Sequence, residues 1–218
     1  MLRFSGISRG LALGCAVSMA FLAALAQTPA PPDVPSGLPR DHHDGVTLSA
    51  DPYSDAKRCK EKFGKANPYP VGILPVEIFL RNETNQPVKI DLSTVQLTIH
   101  FASAAPQNLD WLTTKEVASA VAYPKGPKAP HTSRLPLGIP TGADNKVDNL
   151  VAILQPLMFD GDVLPPQSLL HGFLFFDVNR DFSLVQKSSL YLPDATTIPG
   201  NKALLFFEVP LAGVASPR

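Results

Sequence analysis

From residue 72 to residue 101 the chain reads GILPVEIFLRNETNQPVKIDLSTVQLTIHF, and apolar residues recur at every second position through most of it. Val76, Ile78 and Leu80 share one parity, with Glu77 and Arg81 opposite. After the polar run 82–86, Val88, Ile90 and Leu92 alternate with Lys89, Asp91 and Ser93. A third run sets Val95, Leu97, Ile99 and Phe101 against Gln96, Thr98 and His100. Successive side chains of a strand point to opposite faces, so this period with β-branched residues specifies half-buried antiparallel strands. The stretch therefore predicts three strands that form the first half of a β-sandwich.

The last third of the chain supplies the matching half. LPPQSLLHGFLFFDV reads as a turn and then a strand over 169–178, SSLYLP as a strand around 189–192, and KALLFFEVPL as a last strand over 204–209. The expected core contact is of Val76, Ile78, Leu80, Ile90 and Leu97 with Phe175, Phe176 and Phe207. Phe175-Phe176-Asp177-Val178 and Phe206-Phe207-Glu208-Val209 echo each other. Two short matches do not make a repeat architecture, which needs self-similarity over whole units.

Helices are predicted between and before the strands. Val46–Ala50 reads as a first strand, and Ser54 as the N-cap of a helix over 55–63 with Ala56, Cys59 and Phe63 on one side and Gly64 ending it. Thr113 with Glu116 three residues on is a capping box, which places a helix over 114–121. Asp144 caps a further helix in which Val147, Leu150, Val151 and Leu154 fall on one face, although NLVAIL also reads as a strand. Strands with turn signals and no strand–helix–strand alternation specify a mainly β chain, an antiparallel immunoglobulin-like β-sandwich with two or three short inserted helices.

Compartment follows from the first residues. Arg3 and Arg9 precede an apolar run that closes on Ala24-Leu25-Ala26, the pattern of a secretory signal peptide over 1–26. The alternative is an uncleaved anchor, but residues 11–26 fall short of the roughly 20 apolar residues that span a bilayer. Residues 27–45 begin with five prolines in 27–40 and read as a proline-rich tether. The sandwich then occupies 46–212 and a tail 213–218. Once Cys15 leaves with the leader, Cys59 stands alone, so neither an internal disulfide nor a cysteine metal site can form. Burial of Cys59 as a small hydrophobe is the expectation, with an exposed, cross-linking thiol as the alternative. Without Arg3 and Arg9 the 19 basic residues fall to 17 against 19 acidic ones. That balance provides no global field toward nucleic acid or anionic membrane.

The strand VEIFLRNETNQPVKIDLSTVQLTI, followed by a proline-led turn, a glycine and the aromatic strand LPPQSLLHGFLFFDV and then LYLP, resembles the telokin-like, immunoglobulin-like domains of bacterial secreted proteins and lipoproteins. The resemblance covers about half of the chain beyond the leader. It implies an exported, non-enzymatic sandwich in the periplasm or outside the cell, and it brings no catalytic residues and no cofactor. The partner it implies is an envelope or extracellular protein or polymer.

Three polar constellations carry chemistry of their own. Asp41, His42, His43 and Asp44 are the right ligand types for a divalent metal, although four adjacent residues reach one centre only in a tight loop. Lys125, Lys128, His131 and Arg134 recur every third residue in a proline-rich loop, a spacing that lines them along one edge of a polyproline II helix where an anionic polymer can bind. Against it stands a proline-stiffened loop whose charges keep the chain soluble. Asp177 and Glu208 lie inside apolar strands, and a pair of carboxylates across a cleft is the machinery of glycoside hydrolysis. Asn82-Glu83-Thr84 matches an N-glycosylation acceptor, with Asn82 as a plain turn former the favoured reading. No nucleophile elbow, zinc-binding HExxH, phosphate-cradling loop or dinucleotide fingerprint is present.

Overall fold

The structure is a computed structural model and describes residues 34–124, 145–200, 202–204 and 206–212. Among them are the strands β1 (Arg40–His43), β2 (Val46–Pro52), β3 (Ile73–Asn82), β4 (Val88–Ile90), β5 (Gln96–Ile99), β6 (Gln107–Asp110), β7 (Val163–Leu164), β8 (Ser168–Asp177), β9 (Ser188–Leu192), β10 (Ala195–Thr197) and β11 (Phe207–Pro210). Three helices accompany them: α1 (Ala56–Phe63), α2 (Thr114–Ala122) and α3 (Asn145–Leu154). The leader 1–26 and the basic loop 125–134 lie outside the described residues, as do Asp144 and the tail from 213. No helix among the described residues is long and apolar enough to cross a membrane.

The strands form three antiparallel sheets, ordered β1-β2-β3-β8, β10-β4-β7 and β11-β9-β5-β6. The mainly β, sandwich-type fold expected from the alternation is therefore the one observed. Its distribution differs. The three runs of residues 72–101 do not lie side by side: β3, β4 and β5 each enter a different sheet. Two local devices redirect the chain between them. Asn82, buried, accepts at Oδ1 from Thr84 N and Oγ1 at 2.9 and 2.7 Å, and its amide donates to the carbonyls of Gln86 and Pro165 at 2.8 and 3.0 Å. Asp91 accepts from Ser93 N at 3.0 Å and starts a 3-10 turn over Leu92–Thr94. A side chain that satisfies nearby backbone in this way competes with continued pairing. Asn82 is thus a turn former with its amide spent inside the protein.

β3 and β8 pair over ten residues, from Ile73 opposite Asp177 to Asn82 opposite Ser168; β3 is buried on both faces along most of its length, and β8 from Gly172 to Phe176. Leu74, Val76, Ile78 and Leu80 join Leu174 and Phe176 on one side, in a core that also holds Ile90, Leu97, Leu190, Phe207 and Val209. The opposite parity, Ile73, Phe173 and Phe175, packs under the helices with Cys59, Phe63, Val117, Leu150 and Leu154. The result is a sandwich with a third, helical layer on one sheet. The expected core contact holds for Phe176 and Phe207 and fails for Phe175, which faces the helices. Gly172 belongs to the same strand, and a Cβ there would collide with the Phe159 backbone that crosses it.

The helices follow their caps. The Thr113–Glu116 box closes as read, with Thr113 N donating to Glu116 Oε2 at 2.8 Å, and α2 runs one residue further than predicted. α3 is helical, with Val147, Leu150 and Leu154 buried and Val151 half-buried. α1 is capped by Asp55 rather than Ser54, since the Asp55 carboxylate accepts from Arg58 N at 2.8 Å. Ala56 points to solvent instead of joining Cys59 and Phe63.

Residues 40–45, expected as the end of a tether, belong to a hairpin. Arg40–His43 is a strand paired with β2, and the hairpin between them turns on Asp44 and Gly45, both at positive φ (47° and 79°). Two central residues at positive φ make the turn whose twist matches antiparallel strands, and Asp-Gly is its sequence signal. At the far end, the last strand begins at Phe207, and Phe206 before it is 49% exposed.

Candidate functional site

Strand register sorts the helix-side face of the first sheet into rows. Arg40, Ser49, Phe79 and His171 form one row; His42, Thr47, Arg81 and Leu169 form the next; Asp51, Glu77 and Phe173 form a third on the other side of the first. Side chains within a row share a face because pairing partners point the same way. The third row lies under α1. The first two run out beyond it.

Under α1 every charge has a partner. Arg58 grips Asp51 with two arms, one at 2.8 Å from Nη1 to Oδ1 and the other from Nη2 to Oδ2, and its guanidinium lies 3.8 Å over the Tyr53 ring. Tyr53 donates its hydroxyl to Glu77 Oε2 at 3.0 Å, and His171 Nδ1 stands 3.4 Å from the other Glu77 oxygen. Burial, then the Glu77 carboxylate, push the Tyr53 phenol well above its ordinary range, so it remains a donor. Edge-on rings of Tyr53, Phe63 and Phe173 close the space at 5.0–6.2 Å. Cys59 is buried here as expected. Its thiol donates to Tyr53 O at 3.0 Å and burial pushes it up to about 12, which keeps it protonated and unreactive. The cluster fastens α1 to the sheet.

The uncovered rows line a groove of about 570 Å³, with Arg40, Thr47, Ser49, Arg81 and Glu83 on the sheet and Val34, Pro35 and Ser36 along its side. Arg40 is exposed; Arg81 is half-buried, with Nη1 3.8 Å from Glu83 Oε1. Ser49 is 1% exposed, and its hydroxyl has no hydrogen-bond partner among the described residues. A second cavity of about 690 Å³ lies beside Lys65, Lys146 and Ile153. Its walls are α2 and α3, and the chain joining those helices is outside the described residues.

The sequence-derived sites fare differently. Asp41, His42, His43 and Asp44 do not converge on one centre. His42 Nδ1 is 2.8 Å from Thr47 Oγ1 on the groove side, whereas Asp41 Oδ2 accepts from Glu208 N at 2.9 Å and meets His43 Nε2 at 3.1 Å. Asp44 is held by Lys202 Nζ at 3.0 Å. Among the described residues no three His, Cys, Asp or Glu side chains are placed to hold a metal ion. Alternation along β1 is the cause, since neighbours on a strand point to opposite faces. Burial pushes the Asp41 carboxyl up, but the hydrogen bonds from Glu208 N, His42 N and His43 together outweigh it and hold the group below the usual carboxylate value. Asp177 and Glu208 belong to different sheets and both are exposed; Asp177 Oδ1 accepts from Asn179 N at 2.8 Å.

One constellation has no signal in the sequence because its members are far apart. Ser189 Oγ lies 2.9 Å from His100 Nε2 and 2.7 Å from Glu208 Oε1. A nucleophile relay needs the carboxylate on the imidazole nitrogen remote from the serine. Here Glu208 itself accepts the hydrogen bond of the serine hydroxyl and approaches the same Nε2, at 3.6 Å. The three groups tie β5, β9 and β11 together across the outer face of their sheet.

No family model and no curated protein matches the chain. A solved structure described as "The crystal structure of a functionally unknown protein from Listeria monocytogenes EGD-e" is similar over 79% of this chain and 80% of that one, at 10% sequence identity and a TM-score of 0.34.

Proposed function

We propose that this protein is an exported, non-catalytic β-sandwich that serves as a binding module in the cell envelope. The observation that carries the binding role is the half-covered sheet face. Strands β1, β2 and β3 continue past the helical layer and leave Arg40, Thr47, Ser49 and Arg81 around a groove. A rigid sheet that presents a few polar groups at a concave opening is the common form of a small-molecule site. Export rests on the leader pattern and on the resemblance to secreted telokin-like domains. The non-catalytic reading is supported by the Ser189 cluster, whose hydrogen bonds run the wrong way for a relay.

Cell fractionation tests the address: the mature chain should appear in the periplasmic or secreted fraction beginning at Gln27, and a full-length cytoplasmic product ends that part of the reading. Hydrogen exchange tests the binding role. Added solubilised envelope fraction should slow exchange in residues 40–49 and 81–83; protection confined to other strands, or none, counts against the groove.

A further inference from the structure

We infer that two copies of this chain associate edge to edge through β6, so that the sheet β11-β9-β5-β6 continues into the same sheet of the partner. The inference is independent of the groove. In an antiparallel ladder the N–H and C=O of one residue point to one neighbouring strand, and those of the next residue point to the other side. Two bonds fix that phase here. His100 N donates to the Lys187 carbonyl at 2.7 Å and Leu211 N to the Ser188 carbonyl at 2.9 Å, each continuing its strand register by one step. Gln96 and Thr98 therefore turn their backbone groups to β9, and Leu97 and Ile99 turn theirs to Leu109 and Gln107 of β6. The backbone groups of Asn108 and Asp110 are left pointing off the sheet. The same phase puts Glu208 N on the opposite edge, where it donates to Asp41 Oδ2 at 2.9 Å. Other edges are closed by neighbouring chain: Phe159 N and Leu112 N donate to the Phe173 and Phe175 carbonyls of β8, and Thr197 N of β10 donates to the Lys202 carbonyl. Among the described residues the outward groups of Asn108 and Asp110 meet no such partner, and both residues are exposed. A row of unpaired edge donors and acceptors is a template for a further strand.

β6 is complementary to itself, and this selects a second copy as the occupant. A two-fold axis normal to the sheet keeps inner face with inner face, so residues pair across it only with residues of the same parity. The axis can then pass at Asn108, Leu109 or Asp110. At Asn108 it sets Asp110 against the partner's Pro106, which has no N–H to give. At Asp110 it sets two carboxylates directly opposite each other and calls on Leu112 N, which is already bonded to Phe175. At Leu109 it sets Asn108 opposite the partner's Asp110, and the reverse, and each pair exchanges both backbone hydrogen bonds. The Asn108 amide then lies beside the partner's carboxylate. That repeats the contact on the other side of β6, where Gln96 Nε2 donates to Asp110 Oδ1 at 2.8 Å across paired residues. A carboxylate accepts from both donors at once. Leu109, packed on the core, meets the partner's Leu109 on the inner face.

Sedimentation velocity on the purified protein tests this. An edge contact of a few residues belongs with weak, transient interfaces, so the average mass should climb toward twice the monomer's between about 10 µM and about 1 mM. Asn108→Lys sets an ammonium opposite the partner's Asp110 and should tighten self-association about threefold to tenfold; Asn108→Asp sets a carboxylate there and should weaken it by about as much. Both changes fall on an exposed side chain whose backbone groups do not serve β5, so the urea midpoint at low concentration should stay where it is. Amide exchange read by NMR should slow with rising concentration at Asn108 and Asp110 and stay unchanged at Gln107 and Leu109, whose amides already bond to β5. A mass that stays at the monomer's up to about 1 mM overturns the inference. So do the two variants shifting association in the same direction, or protection that falls on other strands. A monomer in which the Asn108 and Asp110 amides slow only on addition of envelope material assigns the edge to a different partner's strand, and that too overturns self-pairing.

Discussion

Phe175 and Phe206 occupy matching places in two similar tetrapeptides, Phe-Phe-Asp-Val and Phe-Phe-Glu-Val, and meet opposite fates: Phe175 is fully buried and Phe206 is 49% exposed. Their neighbours behave alike, since Phe176 and Phe207 enter the same core, as do Val178 and Val209. The difference lies outside the strands. β8 carries a helical layer on its second face and β11 does not, so equal sequence patterns differ in what covers their outer parity. The sheet under the helices repeats the contrast within itself. Beneath α1 its charges are covered by the helix; beyond α1 Arg40 and Arg81 line a groove.

The comparison is most exposed to substitution of its two phenylalanines. Phe175→Ala should cost about 4 kcal/mol, since it opens a cavity where helices and sheet meet. Phe206→Ala should cost under about 1 kcal/mol, because that ring is half in water already. Urea unfolding of both variants checks this, and similar losses would mean that the outer face of the sheet containing β11 is covered as well. A smaller contrast is set by two arginines over one sheet face, Arg58 from α1 and Arg40 from β1. Arg58→Ala leaves the buried Asp51 carboxylate unpaired and should cost about 3 kcal/mol, whereas Arg40→Ala should stay within about 0.5 kcal/mol. Equal effects would erase the distinction between a fastened half and an open one.

The smallest expected effect concerns pH. The Asp41 carboxyl titrates lower in the folded protein than its ordinary value of 3.8. Its contribution is therefore full above the unfolded value and is lost as pH falls through the folded one. Asp41→Asn should narrow the gap in unfolding midpoint between neutral and acidic solution, and thermal scans from about pH 7 to pH 2 read it directly. An unchanged acid dependence would show that the seam from β1 to β11 does not rely on that charge.

Some of this architecture is written locally. The capping box at Thr113 and Glu116, the four-residue spacing in α3 and the parity of Val88 and Ile90 depend on neighbours a few positions away, and each is realised. The hairpin at Asp44-Gly45 is local in the same sense, since its turn signal is two adjacent residues. The metal quartet illustrates the opposite case. Its residue types fit a ligand set, but a strand sends adjacent side chains to opposite faces, so adjacency in sequence separates them in space. The groove had no motif at all: Arg40, Ser49 and Arg81 come from three strands, and only their register makes them neighbours.

By itself the sequence determined that the chain would be antiparallel strands with short capped helices, because period, caps and turns act over a few residues. The tertiary structure alone decided which sheet received each run of residues 72–101, which face of β3 met helices and which met the other sheets, and where the helical layer stopped. Those outcomes depend on pairing between segments up to about a hundred residues apart, such as β3 with β8, and no local pattern encodes a partner at that distance. The part of the sheet left beyond the helices is the part that lines a groove.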